Sequence, residues 1–273
     1  MQLVIWFVAG AGMGSVANAL IDRLPRRESW MKGRSHCDKC GHTLGTLDLI
    51  PLLSYLVLSA KYKGCRYCHK SIGIRNFLVE LLMATGFGLI YNFQFSIFNQ
   101  FSIFSVLILN LIFFITVVVA VMDWEIRLVS EKMIIMWGFL VLTMQFASLL
   151  LSKFSIFNFQ FSINSLISQF SNNLFGLVMG VGLIGGLWAV SRGKAMGSGD
   201  VEIAAVMGWW LGWPKIAPAL WIAFVAGALV GSWFMVTRKL KIKSEIAFGP
   251  FLVIGAWIGY FWGDKMLTWV FRF

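Results

Sequence analysis

Long apolar runs separated by short polar segments make up most of the chain. Met1–Ile21 and Leu81–Met122 contain no charged residue, and the second run is long enough for two membrane spans and a turn. Further apolar runs, uncharged except for Lys215, occupy residues 133–152, 154–191, 215–237 and 246–263. Because about 18 consecutive apolar residues indicate a transmembrane helix, the pattern predicts an all-α polytopic membrane protein with about eight transmembrane helices.

The polar and apolar segments divide the chain into three parts. Residues 1–21 form the predicted first transmembrane helix, which lacks the basic start of a cleaved signal peptide. Residues 22–76 are too long for a simple connector and are expected to form a small ordered cytoplasmic module. Residues 77–273 are expected to form a membrane-embedded bundle.

Composition and charge support this organisation. The chain is 59% hydrophobic and 13% charged, whereas soluble domains contain about 25% charged residues. The net charge of +11 could suggest nucleic acid, but 11 of the 23 Lys and Arg residues lie in residues 22–76. If alternate loops face opposite sides, 19 of the 23 fall on one side. The positive-inside rule places that side in the cytoplasm and the N-terminus outside, so no nucleic-acid partner is expected.

A short repeat occurs in two of the predicted outside loops. Phe-Ser-Ile-Phe is found at 95–98, 101–104 and 154–157. The pattern is typical of duplicated sequence in tolerant loops, and the alternative is an aromatic belt in contact with membrane lipid. We assign these segments no chemistry.

All four cysteines lie in the polar module, as Cys37-x-x-Cys40 and Cys65-x-x-Cys68 with 24 residues between the pairs. Two such turns can direct four thiolates at one metal ion and complete a tetrahedral zinc site. A redox dithiol and unmetallated cysteines are alternatives, and disulfides are disfavoured in the cytoplasm. A site with four protein ligands is closed to substrate, so we expect structural Zn²⁺ in a zinc-knuckle loop.

Two carboxylates lie where apolar runs meet the predicted cytoplasmic side. Asp123 follows the run Val106–Met122, and Asp200 ends the motif Gly197-Ser198-Gly199-Asp200 before the short run Ile203–Pro214. Irregular backbone at membrane depth is tolerated where protein or a wet cavity covers it, so Asp200 is expected to face such a cavity. Simple helix-end roles are the alternatives, with Asp123 at the interface and Asp200 as an N-cap.

The chemistry expected of two neighbouring carboxylates is hydrolytic. When two carboxylates share a pocket, both cannot ionise cheaply and one keeps a proton. Such a pair can activate a water molecule and protonate a leaving amine, as in aspartic proteases. Asp123 and Asp200 are therefore the candidate catalytic residues. A third carboxylate in an apolar run, Glu80, is expected either to pair with Arg75 or to help form a polar pocket.

Several motifs, in this order along the chain, together resemble one known family, the type IV prepilin peptidases, also called leader peptidase/N-methyltransferases. Besides the two CxxC pairs and Asp123, the motifs are Gly10-x-x-x-Gly14-Ser15-x-x-Asn18, Asp48-Leu49-Ile50-Pro51, Val79-Glu80-Leu81-Leu82, Gly197-Ser198-Gly199-Asp200 and Phe248-Gly249-Pro250-Phe251. The chain departs from the family pattern at Val129-Ser130, where Pro-Asp is frequent, and at Glu202, where Lys is common.

The resemblance implies a bifunctional membrane enzyme. Its aspartic peptidase, with Asp123 and Asp200, would remove the basic leader of prepilins or pseudopilins of type IV pili or type II secretion. Cleavage would occur at the cytoplasmic face of the inner membrane, and substrates would enter from the bilayer. Its methyltransferase would then transfer a methyl group from S-adenosylmethionine to the new N-terminus. The methyl-donor site is expected near Gly14, Ser15, Asn18 and Glu80.

Three other functions remain open. A peptidase without methyltransferase activity would leave the mature pilin unmethylated. A non-enzymatic membrane scaffold or transporter would keep its function when both aspartates are replaced. An intramembrane protease of the signal-peptide-peptidase type shares the Gly-x-Gly-Asp motif but lacks the cysteine pairs.

Overall fold

The computed structural model describes residues 1–29, 35–37, 39–62, 64–70, 73–97, 103–153, 163–194, 196–237 and 247–270. Over these residues the chain forms helices and no strand, which confirms the all-α prediction. A short 3₁₀ helix spans Thr46–Leu49. The α-helices are α1 (Gln2–Arg23), α2 (Leu53–Tyr62), α3 (Ile74–Ile97), α4 (Ile103–Ile126), α5 (Glu131–Lys153), α6 (Ile163–Ser191), α7 (Ser198–Leu211), α8 (Ile216–Val236) and α9 (Gly249–Val270).

The chain divides into two compact units, Met1–Val118 and Val119–Phe273. In the first unit, α1 and α3 pack against each other along most of their length. Gly14 permits the close approach, because a Cβ there would lie 2.6 Å from the Cα of Glu80. Small residues at such contacts let helix backbones pack tightly within a membrane. The cysteine-containing segment between these helices contains the 3₁₀ helix and α2.

In the second unit, α7 is packed against α5, α6, α8 and α9. The contact with α6 is close because Gly176 and Gly208 face each other, so a Cβ on either would meet the backbone of the other. The core beside them contains Ile203 and Met207 of α7 and Leu252 of α9, all fully buried. The position of α7 buries Asp200 in its first turn, whereas Gly197 and Ser198 of the same motif are exposed.

Five helices of the described chain are long and apolar enough to cross a membrane. They are Gln2–Arg23, Ile74–Gln94, Ile103–Ile126, Ile167–Ser191 and Ile216–Val236. A multi-pass membrane protein is therefore supported, whereas the predicted number of about eight spans is not confirmed. With 14 residues, α7 is about 21 Å long, which is less than the hydrocarbon thickness of about 30 Å. Of the three Phe-Ser-Ile-Phe repeats, the one at 154–157 lies wholly outside the described residues, and those at 95–98 and 101–104 lie partly outside them.

Candidate active site

Asp123 is buried near the end of α4, with 6% of its surface exposed. Its Oδ2 accepts a hydrogen bond of 2.9 Å from the backbone N–H of Gly249, the first residue of α9. A Cβ on Gly249 would lie 2.6 Å from the same oxygen, so the close approach requires glycine. Free backbone N–H groups at the start of a helix stabilise negative charge. The start of α9 therefore holds and orients the Asp123 carboxylate.

Asp200 lies in the first turn of α7 and is 7% exposed. The N-cap of this helix is Gly197, so the alternative in which Asp200 is itself the N-cap is wrong. The Oδ2 of Asp200 instead accepts a hydrogen bond of 3.1 Å from the backbone N–H of Gly197. The glycine-rich motif therefore forms the first turn of the helix, and the carboxylate satisfies a backbone donor at that end.

The structure brings these two aspartates, 77 residues apart in sequence, into electrostatic contact. Burial, followed by the charge of Asp123, raises the pKa of Asp200 to about 6, and Asp200 lies in none of the five candidate spans. The packing agrees, since a Cβ on Gly249 would lie 3.2 Å from the Cδ1 of Ile203, three residues after Asp200 on α7. Gly249 thus contacts both α7 and the Asp123 carboxylate.

Aromatic side chains next to Asp123 and Gly249 in the sequence pack against one another or against α8. Phe248, beside Gly249, packs against Phe224 with ring centroids 5.1 Å apart. Phe251 packs edge-on against Trp124, which follows Asp123. The contact between Trp124 and Phe251 thus joins the end of α4 to the start of α9.

The four cysteines form a single cluster, with all four Sγ atoms within 4.8 Å of one another. The Sγ atoms of Cys37 and Cys68 are 3.9 Å apart, close to the distance of about 3.8 Å expected for two thiolates bound tetrahedrally to zinc. The cysteines form no disulfide. A four-cysteine cluster that could bind a metal ion is therefore present, as the spacing predicts.

The described residues of the two CxxC segments form matching backbone hydrogen bonds. In the first, Cys37 donates its N–H to the oxygen of His42 and accepts from the N–H of Gly41. In the second, Cys65 donates to the oxygen of Lys70 and accepts from the N–H of His69. Gly41 and His69 both have a left-handed backbone, with φ of 70° and 53°. Such paired turns present their thiols to a common centre.

The thiols of the cluster do not ionise equally in the absence of a cation. Backbone hydrogen bonds from Cys68 and Tyr67 lower the pKa of Cys65 to about 7. A backbone hydrogen bond from His42 also favours the Cys40 thiolate, yet desolvation and hydrogen bonds with the other three thiols raise the pKa of Cys40 to about 11. Four adjacent thiolates repel one another, so a bound cation would be required for full deprotonation.

A polar cavity of about 310 Å³ lies in the first unit, between α1, α3 and the cysteine segment. Ser15, Asn18 and Glu80 line it, and Gly14 lies against Glu80, so all four residues predicted near a methyl donor lie together. Glu80 is 9% exposed and accepts a hydrogen bond of 2.8 Å from the N–H of Leu52. Arg75 forms an ion pair of 2.8 Å with Asp22, another lining residue.

Asn18, in the wall of this cavity, has a buried polar atom that indicates a bound ligand or water. It is 6% exposed, and its Nδ2 donates a hydrogen bond of 3.0 Å to the oxygen of Asn76. Its Oδ1 is buried and has no hydrogen-bond partner among the described residues. A buried acceptor without a donor is costly, which indicates that a ligand or water donates to it. Across the lining, Tyr55 and Phe77 stack with ring centroids 4.9 Å apart.

Two family models match the chain in succession. The model described as Bacterial Peptidase A24 N-terminal domain matches residues 8–93. The model described as Type IV leader peptidase family matches residues 110–232. The cysteine cluster and the polar cavity lie in the first match, and Asp123 and Asp200 lie in the second. The chain belongs to the type IV leader peptidase family.

Full-length relatives agree with this assignment. A protein of Pseudomonas aeruginosa, named prepilin leader peptidase/N-methyltransferase, is 27% identical over 94% of this chain and 89% of its own length. A Bacillus subtilis protein of the same name is 26% identical over 98% of this chain and 97% of its own length. An Aeromonas hydrophila protein, also so named, is 28% identical over 88% and 75% respectively. No solved structure matches the chain.

The sequence reasoning assigns no role to three contributors to these sites, and two of them, Gly249 and Val129, offer no polar side chain. Gly249 acts through its backbone N–H, and only its place in Phe248-Gly249-Pro250-Phe251 could have indicated it. Val129 makes only an apolar packing contact with the Gly-x-Gly-Asp turn, at Gly199. Arg66, inside the second CxxC turn, forms an ion pair of 3.0 Å with the buried Asp48.

Proposed function

We propose that this chain removes the leader peptide of prepilins or pseudopilins and then methylates the new N-terminal amine. The observation that carries the peptidase is that Asp123 and Asp200, from distant parts of the chain, are both buried and interact electrostatically. A second negative charge on this pair is therefore costly. The names of the full-length relatives support the same pair of activities.

The two carboxyl groups take different roles in the proposed cleavage. Asp123, held by the N–H of Gly249, is the ionised partner and accepts a proton from the attacking water. Asp200 carries the shared proton and donates it as the peptide bond breaks. The water oxygen adds to the scissile carbonyl carbon, and the leaving nitrogen becomes the N-terminal amine of the mature pilin. The pair ends the cycle with one proton, as it began.

We infer the orientation from charge. With the basic segments in the cytoplasm, the N-terminus lies outside and the aspartate pair lies at the cytoplasmic face of the inner membrane. A substrate with an apolar helix would enter from the bilayer and keep its basic leader in the cytoplasm.

The proposed proton sharing predicts the pH dependence of cleavage. Because the pKa of Asp200 is raised to about 6, the pair keeps its shared proton below that pH and loses it as the pH rises. We expect kcat/KM for a prepilin to fall with rising pH, with an apparent midpoint near 6 that belongs to the pair. A rate that stays constant from pH 5 to about 8 would contradict this role of the pair.

The methyl donor is proposed to bind in the polar cavity of the first unit. S-adenosylmethionine carries a sulfonium cation, an ammonium group and an adenine ring, and when bound it supplies an electrophilic methyl group. The residues present fit these groups. Asn18 Oδ1 offers a buried acceptor, Glu80 offers a carboxylate, and Tyr55 with Phe77 offers an aromatic surface for a cation or ring.

Asn18→Ala is expected to weaken binding of S-adenosylmethionine about tenfold, because one hydrogen bond of about 1.4 kcal/mol is lost. Equilibrium binding of the radiolabelled donor to purified protein measures the change. Asn92→Ala is the matched control, since Asn92 is exposed on α3 and does not line the cavity. Equal affinities of wild type and Asn18→Ala for S-adenosylmethionine would contradict the proposal that the donor binds in this cavity.

The four-cysteine cluster is proposed to hold structural Zn²⁺ and thereby to order the cysteine segment. Cys37 and Cys65 both line the cavity, so the metal would keep one wall of the donor site in place. A peptidase without methyltransferase activity is the alternative function, and it predicts no added methyl mass on the cleaved pilin.

A further inference from the structure

A short segment, residues 127–130, connects α4, which carries Asp123, to α5. The N–H of Arg127 donates to the oxygen of Asp123 at 2.9 Å, and the backbone turns there with a φ of 53° at Arg127. Three residues on, the oxygen of Ser130 accepts from the N–H of Met133 at 2.9 Å, where α5 begins. Residues 127–130 are thus fixed to α4 at one end and to α5 at the other.

Val129, in the middle of this segment, rests on the Gly-x-Gly-Asp turn. A Cβ on Gly199 would lie 2.7 Å from the Cγ2 and 2.9 Å from the Cβ of Val129. Gly199 is the second residue of α7. Its backbone there is helical, which any residue can adopt, so the glycine serves the close approach to Val129.

We propose that Val129 is a positioning residue for cleavage, and that its contact with Gly199 sets the position of the Asp200 carboxyl group relative to Asp123. The inference rests on the proposed peptidase function. Val129 is six residues from Asp123, and Gly199 is bonded directly to Asp200. The contact therefore links the segment after Asp123 to the residue before Asp200, and a change on either side of it is expected to change the distance between the two carboxyl groups.

The expected effect is large because the pair must cooperate on one water molecule. A displacement of about 1 Å at reacting groups costs on the order of 100-fold in rate. Gly199→Ala would push the first turn of α7 away from Val129, and we expect kcat to fall about 100-fold with little change in KM. Val129→Gly would leave the turn unsupported, and we expect a fall of about tenfold in kcat.

The double variant Val129→Gly/Gly199→Ala removes the three side-chain carbons on one side of the contact and adds one methyl group on the other. The three atoms nearest to a new Cβ at 199 are all in the Val129 side chain, at 2.7, 2.9 and 3.7 Å, so their loss removes the steric conflict. We expect this variant to recover kcat to within about tenfold of wild type, a strong departure from additivity. Gly182→Ala is the matched control, because a Cβ on Gly182 meets nothing within 4 Å.

A second readout separates positioning from general damage to the fold. In Gly199→Ala the Asp123 charge is farther from Asp200, so the pKa of Asp200 and the pH midpoint of cleavage are expected to move down. The double variant is expected to return the midpoint towards 6. Additive losses, or an unchanged midpoint in Gly199→Ala, would overturn the positioning role. Inactive wild-type protein would instead refute the proposed peptidase, so the two failures are distinguishable.

Discussion

Asp200→Asn is expected to abolish leader cleavage, with kcat lowered by about 10³-fold or more. Asparagine keeps the size of the side chain and its amide oxygen still accepts from Gly197, so the first turn of α7 is preserved. It holds no ionisable proton and therefore cannot donate one to the leaving nitrogen. The rate of leader removal from a purified prepilin, under single-turnover conditions, measures the loss.

Asp123→Asn is expected to be equally inactive, because an amide is too weak a base to take a proton from water. Combining the two substitutions should add little, since residues that act as a unit lose their function together. Asp264→Asn provides the control for the same chemical change. Its carboxylate is 74% exposed and pairs with Lys215 at 2.7 Å, and such surface pairs contribute at most about 1 kcal/mol. Full activity of Asp200→Asn would show that the aspartates serve structure alone.

Cys65→Ser is expected to abolish both metal binding and methylation. Cys65 is 4% exposed and is the most buried ligand of the cluster. Structural zinc contributes on the order of 10 kcal/mol of folding free energy to small sites, which the neutral hydroxyl of serine cannot support. The metal content of the purified protein should fall from one zinc ion per chain to near zero, and protease sensitivity of the cysteine segment should rise.

The same variant separates the two proposed activities. The residues proposed for cleavage, Asp123, Asp200 and Gly249, all lie in the second unit, whereas the proposed donor cavity is lined by cysteines of the first. We therefore expect Cys65→Ser to cleave prepilin while failing to methylate it. As a control, chelator-treated wild type should regain methylation on addition of Zn²⁺, and Cys65→Ser should not. Wild-type protein purified without metal, yet active in methylation, would contradict a structural zinc site.

The helical architecture follows directly from the sequence because uncharged runs in lipid satisfy their backbone groups only as helices. The spacing of Cys37, Cys40, Cys65 and Cys68 likewise predicts the cluster, since each CxxC turn is a local structure. The number of spans is less predictable. The helix α7 is too short to cross a membrane. Its burial depends on packing against four other helices, which no local sequence pattern encodes.

In the candidate site, too, some residues can be identified from the sequence and others cannot. Asp123 and Asp200 are identifiable because a carboxylate beside an apolar run is costly and needs a reason. The groups that orient them are not, because Gly249 contributes a backbone N–H and Val129 contributes shape. Asp200 was open to interpretation as an N-cap, since the helix start depends on where Gly197 and Gly199 fall, and the structure begins α7 at Ser198.

The most direct test of the account is the intact mass of a prepilin incubated with S-adenosylmethionine and membranes that contain this protein. We predict that the product loses the mass of its leader and gains the mass of one methyl group. With Asp200→Asn in place of wild type, the prepilin should keep its full mass. Loss of the leader without the gain of a methyl group would contradict the proposed methyltransferase activity. If wild-type protein leaves every prepilin and pseudopilin of the same organism unprocessed, the proposed peptidase activity is contradicted.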